Sequence, residues 1–170
     1  MTPHIRVIDL AAAADTTASG TDEATNRVRG ALRTLVQTAR EGGRDAGRGR
    51  SFAVLGEFGG TEPDNDRAVA HDRVGRLAVR LAVDIVIAVG TTRIVRALHQ
   101  GAVMEGSWGD EARMVADADS AVEMLLGEIG DGDVVLVAGD GSDLSAVARN
   151  LLDDQRCVAT LVELPVGTDD

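Results

Sequence analysis

The sequence predicts an α/β protein: a single doubly wound, mostly parallel sheet of six strands with helices on both faces. Short apolar runs alternate with longer amphipathic stretches, and the connections between successive runs are too long for hairpins. The apolar runs are continuous, as expected for parallel strands that are buried on both faces. Aromatic residues make up only 2% of the 170 residues, so Val, Leu, Ile and Ala must build the core.

The first fifty residues predict one strand, one helix and two loops. Residues 5–9 (IRVID) form an apolar run typical of a strand. Residues 10–22 are small and polar, which predicts a flexible loop, and from residue 23 the apolar side chains recur at helical spacing. Residues 41–50 (EGGRDAGRGR) are rich in Gly and Arg and predict a second flexible stretch.

The middle of the chain predicts two further strand–helix units. Residues 52–55 predict a strand that ends in the turn Gly56-Glu57-Phe58, and a helix follows from about residue 64. Residues 83–89 (VDIVIAV) predict a strand that is buried on both sides. After this strand, Gly90-Thr91-Thr92 leads into a short helix.

The last third predicts three strands and two helices, which completes a single domain over residues 1–170. Residues 112–116 predict a weak strand, and Ser120 with Glu123 matches the S-x-x-E capping box at the start of a helix. Residues 134–137 predict another buried strand, and Gly139-Asp140-Gly141-Ser142 opens the next helix. The final strand is predicted at residues 158–164.

The net charge and the cysteine content limit which cellular compartment and which binding partners we expect. The net charge of -11 repels phosphate backbones and anionic lipids, so neither nucleic acid nor a membrane is expected as a partner. The single cysteine, Cys157, cannot form an internal disulfide, and no apolar run approaches about 20 residues, so we expect a cytoplasmic protein. Arg73, Arg76 and Arg80 share one face of the second helix and are interpreted as solvated surface.

Candidate ligand-binding residues lie where strands end, because open α/β sheets bind ligands at the carboxyl ends of their strands. These candidates are Asp9, Glu57, Gly139 and Asp140, together with His71, which lies early in the helix that follows the second strand. Glycine lets a ligand approach the backbone, although any tight strand-to-helix turn also favours glycine. Three of the five are acids, so the site should prefer an amine-bearing ligand or a cation over a free phosphate.

Several familiar sites are excluded by the sequence. A P-loop needs a lysine, and all 17 basic residues are arginine. A dinucleotide fingerprint needs G-x-G-x-x-G after the first strand, where residues 10–14 read LAAAA. The histidines and Cys157 show no metal-ligand spacing, so no metal is expected. No residue is predicted to be catalytic, and a lone helical histidine such as His71 is more often surface or core than catalytic.

The motifs together resemble a known family. They are Gly56-Glu57-Phe58, His71, Gly75-Arg76-Leu77-Ala78 and Val89-Gly90, with further similarity at residues 99–110 and 130–139. This pattern resembles the C-terminal domain of the bacterial Mur peptide ligases, in particular the actinobacterial form of the branch that adds D-alanyl-D-alanine. The resemblance covers residues 51 to about 152 well and 5–40 loosely. It implies a Rossmann-like fold and a relation to peptidoglycan precursor synthesis, in a family that uses ATP and Mg²⁺.

The sequence also departs from the family pattern at two loops. The family's first strand runs into an Asp-Asp-x-Tyr-Asn-Ala-Asn-Pro loop, whereas here only Asp9 matches before an alanine run. The family's Lys-Gly-Ser-Arg turn has become Ala138-Gly139-Asp140-Gly141, so a cation is replaced by a methyl group beside a new acid. Neither an ATP-binding nor a UDP-binding domain is recognisable. We therefore expect this chain to have no cofactor and no ligase activity by itself.

Three functions remain open from the sequence. The first is a stand-alone, degenerate relative of the ligase domain that binds a partner or a small ligand without catalysis. The second is the C-terminal part of a split ATP-dependent ligase that acts with a separate Mur-type ATP-binding chain. The third is an unrelated small α/β enzyme with unrecognised catalytic residues. For the first two, residues 57–62 and 139–143 are predicted to form part of a protein-docking face, to which residues 41–50 adapt.

Overall fold

A computed structural model describes residues 1–11, 20–42, 49–60, 64–107, 109–140 and 142–165. These residues contain six strands: β1 (His4–Asp9), β2 (Ser51–Leu55), β3 (Ile85–Val89), β4 (Ala112–Val115), β5 (Val134–Ala138) and β6 (Val158–Leu161). The strands form one sheet in the order β4-β3-β2-β5-β1-β6, and every neighbouring pair is parallel. The predicted fold class is confirmed, with a wholly parallel sheet.

Helices cover both faces of this sheet. They are α1 (Thr21–Glu41), α2 (Asp64–Arg80), α3 (Arg93–Glu105), α4 (Ala118–Glu128) and α5 (Ser142–Asp153), with a 3-10 turn at Gly109–Glu111. Helices α1, α2 and α3 pack on one face, and α4 and α5 pack on the other. No helix in the described ranges is long and apolar enough to cross a membrane.

The central strands explain the continuous apolar runs of the sequence. Every residue of β2, β3 and β5 is buried, because each of these strands has a neighbour on both sides and helices on both faces. Successive side chains point to opposite faces. Ala53 and Leu55 therefore join the core under α1–α3, whereas Phe52 and Val54 join the core under α4 and α5.

Some predicted boundaries need correction. Helix α1 begins at Thr21, inside the predicted loop, and β3 begins at Ile85 rather than at residue 83. The capping box at Ser120 is wrong: α4 begins at Ala118, and the Asp117 carboxylate accepts the cap hydrogen bond from the Ser120 N–H at 2.8 Å. Most of the two predicted flexible loops, residues 12–19 and 43–48, lie outside the described residues.

Helices α2 and α3 approach each other unusually closely, and two glycines permit it. A Cβ atom on Gly75 of α2 would lie 2.1 Å from the Leu98 carbonyl oxygen of α3. A Cβ atom on Gly101 of α3 would lie 2.2 Å from the Asp72 carbonyl oxygen of α2. Both distances are far below any real contact, so only glycine fits at these two positions. This crossing places the start of α3 next to α2, which matters for the site described below.

Candidate functional site

The carboxyl ends of β1, β5 and β2 bring most of the predicted site residues together. Asp9 is the last residue of β1 and pairs in register with Val137 of β5. Gly139 and Asp140 follow β5 directly, and Glu57 follows β2 by two residues. The Asp140 N–H donates to the Glu57 carbonyl oxygen at 2.8 Å. Glu57, Gly139 and Asp140 therefore lie on touching turns, and Asp9 ends the adjoining strand.

Glu57 connects the end of β2 to two helices. Its Oε2 accepts a hydrogen bond from Arg67 Nη2 of α2 at 2.9 Å, within an ion pair. Its Oε1 accepts a hydrogen bond from the Thr92 hydroxyl. Thr92 is the N-cap residue of α3, and its Oγ1 also accepts from the Val95 N–H at 3.3 Å. The carboxylate of Glu57 thus holds the turn after β2 against the starts of α2 and α3.

The same contacts keep Glu57 ionised. Burial raises the pKa of this carboxyl, but hydrogen bonds from Thr92 and Arg67 and the charge of Arg67 outweigh burial and leave the pKa below its usual range. At neutral pH Glu57 is therefore an anion that is already satisfied by two internal donors. Such a group contributes a fixed charge and a structural bridge, and it does not donate a proton.

His71 lies behind the turn rather than at its surface. Its side chain is fully buried, and its ring stacks on Phe58 with 3.8 Å between ring centroids and 16° between planes. The Phe58 N–H donates to Nε2 at 3.1 Å, so Nε2 is an acceptor and Nδ1 carries the proton that is shared with the Arg67 carbonyl oxygen at 2.6 Å. Both ring nitrogens therefore form hydrogen bonds with backbone groups.

Desolvation lowers the pKa of His71 to about 4, although the backbone hydrogen bond to Arg67 and two nearby acids act in the opposite direction. The ring is therefore neutral at physiological pH, as its hydrogen-bond pattern requires. A neutral, fully enclosed imidazole orients the Gly56–Phe58 turn from beneath. Its geometry is that of a positioning residue.

Gly139 and Asp140 close the turn after β5. A Cβ atom on Gly139 would lie 2.8 Å from Leu144 Cδ1 and 3.3 Å from the Glu57 carbonyl oxygen, so a larger residue would push the two turns apart. The Asp140 carboxylate is exposed and accepts from the Gly60 N–H at 3.1 Å. Gly141, which belongs to the same predicted turn, lies outside the described residues.

The described residues leave one small cavity beside these turns. Its volume is about 10 Å³, and it is lined by Leu10, Ala24, Arg27, Val28, Phe58, Gly139 and Asp140. A space of this size holds about one water molecule. Arg27 of α1 brings a second cation, after Arg67, to the edge of the acidic turns. A ligand at the strand ends would therefore bind on the outer side of the turns, where Asp140 is exposed.

Three residues that contact or border the candidate site were not identified from the sequence. Arg67 precedes His71 by four residues and so shares its helical face, and this spacing is a signal that could have identified it. Thr92 stands in the predicted turn before α3, but its contact with Glu57 depends on the close crossing of α2 and α3. Arg27 gave no signal, because its position depends on how α1 packs. The described ranges contain no cluster of three or more His, Cys, Asp or Glu residues able to hold a metal ion.

Comparison with known proteins agrees with this architecture. Residues 10–141 match the family model described as Mur ligase, glutamate ligase domain. The chain is 46% identical over 120 residues to a UDP-N-acetylmuramoyl-tripeptide–D-alanyl-D-alanine ligase from Mycobacterium tuberculosis, which covers 64% of this chain and 23% of that protein. It is 49% identical over 106 residues to the protein of the same name from Mycobacterium leprae, covering 62% of this chain and 20% of that protein.

No solved structure matches the chain significantly. The chain spans about a quarter of the length of the curated relatives that it matches. The family model covers more than half of the chain and includes β2 to β5 and the turns that carry Glu57 and Asp140. The resemblance found in the sequence motifs is thereby confirmed, and the chain belongs to the Mur ligase family through its glutamate ligase domain.

Proposed function

We propose that this domain is a degenerate Mur ligase module, related to peptidoglycan precursor synthesis, that binds a ligand or partner and has no ligase activity by itself. Family membership and the similarity to mycobacterial ligases that act on a UDP-linked tripeptide support the pathway. The proposal that the isolated chain has no ligase activity rests on the contacts that the residues at the carboxyl ends of the strands make with each other.

The observation that carries the proposal is that these residues are engaged with each other. Formation of an acyl phosphate needs cations and N–H groups aimed at the phosphates of ATP, together with bound Mg²⁺. Here the Arg67 guanidinium pairs with Glu57, and the nitrogens of His71 bond the backbone. Asp140 accepts from Gly60, and the adjacent cavity has a volume of about 10 Å³. The sequence also offers no lysine anywhere for phosphate binding.

The isolated chain should therefore release no phosphate from ATP when it is given UDP-N-acetylmuramoyl-tripeptide and D-alanyl-D-alanine. The measurement is inorganic phosphate release, compared with a no-protein control and with a heat-denatured sample. Release above both controls that is lost in Glu57→Gln would contradict the proposal, because that variant removes one charge from the strand-end turns while keeping the size of the side chain.

For the small ligand, we propose an amine-bearing molecule at the outer side of the turns. Arg67 neutralises Glu57, so the negative potential there comes mainly from the exposed Asp140 carboxylate, and Arg27 and the helix N-termini offset part of it. Binding should therefore be weak and selective for a cationic group. His71 would act only through the shape of the turn, since its ring is fully buried.

NMR titration of the labelled domain tests this site. We expect D-alanyl-D-alanine to shift the amides of Asp9, Glu57 and Asp140, and we expect its N-acetylated form, which lacks the amine, to shift them much less. Asp140→Asn should weaken the response, because it removes one charge and keeps the side-chain size. Shifts that cluster at the amino ends of the strands would show that the site is misplaced.

A second candidate function is the C-terminal part of a split ATP-dependent ligase. It is supported by the 46% identity to the M. tuberculosis ligase, which is itself a protein about four times as long as the matched region. The docking face would include residues 57–60, 139–140 and 142–143, whereas residues 61–62 and 141 of the predicted face lie outside the described residues. Co-elution with a separately produced Mur-type ATP-binding domain, together with restored phosphate release, would favour this function. Neither effect is expected for an inert module.

A further inference from the structure

An open groove runs between α1 and α2, on residues that the strand-end site does not use. Its volume is about 610 Å³, and its walls include Asp22 and Arg29 of α1 and Arg73 and Leu77 of α2. A space of about 410 Å³ at the starts of the same two helices continues it and adds Asp66. The two spaces share Asp22, Ala70 and Arg73, so together they form one channel along the helix pair.

The groove carries two arginines that the described protein does not pair. Six other arginines form ion pairs: Arg50, Arg67, Arg76, Arg80, Arg113 and Arg156. Arg29 and Arg73 are exposed, line opposite walls of the groove and form no ion pair with any described residue. Other exposed arginines, such as Arg40 and Arg96, also form no ion pair with the described residues, so the distinguishing feature of Arg29 and Arg73 is that they line one groove from two different helices.

Two acids complete a pattern along the groove. Asp22 precedes Arg29 by seven residues on α1, and Asp66 precedes Arg73 by seven residues on α2. Seven residues are two helical turns, so each acid lies on the same stripe as its arginine and about 10 Å away. Both helices return from the carboxyl edge of one parallel sheet and so run in the same direction. The groove is therefore acidic on both walls at its start and basic on both walls two turns later.

Part of the floor between these charges is apolar. Ala70 and Leu77 of α2 lie two helical turns apart and are half-buried, and Val74 between them is buried in the core. Val69 stands at its rim with 49% of its surface exposed. An apolar strip with charged rims matches the way in which amphipathic helices are recognised in grooves.

We propose that this groove binds an amphipathic helix of a partner protein, which lies antiparallel to α1 and α2. Helices favour acids in their first turn and basic residues in their last turn, because of the helix dipole. Only an antiparallel helix places its acidic first turn between Arg29 and Arg73 and its basic last turn between Asp22 and Asp66. Its apolar face then covers Ala70, Leu77 and the exposed rim residue Val69. The inference is independent of the proposed function at the strand ends.

The probe is a designed stapled peptide of about 14 residues, four helical turns, with glutamates first, leucines at i, i+4 and i+7, and lysines last. A second stapled peptide has the same composition with the glutamates and lysines exchanged. Fluorescence anisotropy gives the affinities, and amide shifts of the labelled domain give the site. We expect the first peptide to bind more tightly and to shift residues 26–29 and 69–77.

Charge reversal in the protein makes the test specific. Arg29→Glu with Arg73→Glu should weaken the first peptide by about tenfold or more and should strengthen the second. Arg40→Glu with Arg96→Glu changes the net charge equally at exposed positions outside the groove, so it should leave both affinities nearly unchanged. Equal affinity for the two peptides, equal loss in both double variants, shifts elsewhere or no binding at all would each overturn the proposal.

Discussion

His71 is a candidate ligand-binding residue by its chemistry, but in the structure its role is to stabilise the fold. The ring is fully buried, stacks on Phe58 and accepts from the Phe58 N–H, which requires the neutral form. Protonation would turn that acceptor into a donor facing another donor. The folded state therefore binds a proton at His71 only near pH 4, whereas the unfolded chain binds it near the usual pKa of 6.5.

This difference predicts the direction of the pH dependence of stability. Because the folded pKa is depressed, the contribution of His71 is fully present above about pH 6.5 and is lost as the pH falls towards 4. The loss amounts to about 3 kcal/mol of unfolding free energy. Urea unfolding between pH 7 and pH 4 measures it.

A control at another histidine isolates this effect. His71→Gln should lower stability at pH 7 and flatten the slope between pH 6.5 and 4, since the titrating group is gone. His4→Gln, at an exposed histidine, should keep the original slope. An unchanged slope in His71→Gln would assign the pH dependence to other groups.

At the scale of elements, the crossing of α2 and α3 depends on the absence of a side chain. Gly75→Ala would place a methyl group 2.1 Å from the Leu98 carbonyl oxygen, so the helices must separate. Separation would also strain the contact of Thr92 with Glu57. We expect Gly75→Ala to destabilise the protein by about 2 kcal/mol or more, in the range of overpacked cores.

Gly30→Ala is the matched control. Gly30 lies within α1, and a Cβ atom there meets nothing within 4 Å. Replacing a helical glycine by alanine at such a position should stabilise the protein by about 0.5–1 kcal/mol. Thermal unfolding of both variants compares the two effects, and a shift of the same sign in both would contradict the tight crossing.

Most elements could be predicted from the sequence because their apolar periodicity is strong. The run at residues 83–89 specified β3 to within two residues, since nothing but a buried strand suits such a segment. The start of α4 could not be placed as well, because Ser120 and Asp117 are both good capping residues and only the backbone geometry selects Asp117. Local signals compete at helix ends, and tertiary packing decides between them.

The sequence predicted that the candidate residues lie at one edge of the sheet, but it did not predict their contacts with each other. Asp9, Glu57 and Asp140 each follow or end a strand, and parallel strands place all their carboxyl ends at the same edge of the sheet. The ion pair of Glu57 with Arg67 and the burial of His71 depend on how α2 lies across the sheet. That placement follows from long-range packing, to which a single sequence gives no direct access.

For the whole molecule, one sheet serves two hydrophobic cores. Leu32 of α1 belongs to one core and Leu125 of α4 to the other, and both side chains are fully buried. Because β2 and β5 contribute alternate residues to both cores, loss of either core removes support from the same strands. The two faces should therefore unfold together.

Leu32→Ala and Leu125→Ala test this coupling. Each should cost about 2–5 kcal/mol, as large-to-small changes at buried leucines do. In each variant, circular dichroism and calorimetry should still report one coincident transition at a lower temperature. Two resolved transitions in either variant would show that the faces are independent.

The strand order has a consequence for synthesis on the ribosome. Among the described strands, β1 pairs with β5 and β6 alone, and the His4 N–H donates to Asp131, which is 127 residues later in the chain. Strands β2, β3 and β4 neighbour one another and can associate as they emerge, together with α2 and α3. Strand β1 must wait until residues 134–138 have been translated, so it is made long before its neighbours in the sheet are available, whereas α1 can already pack on β2 and α2. Translation pauses before residue 134 would therefore prolong the interval in which chaperones and proteases meet an open sheet edge.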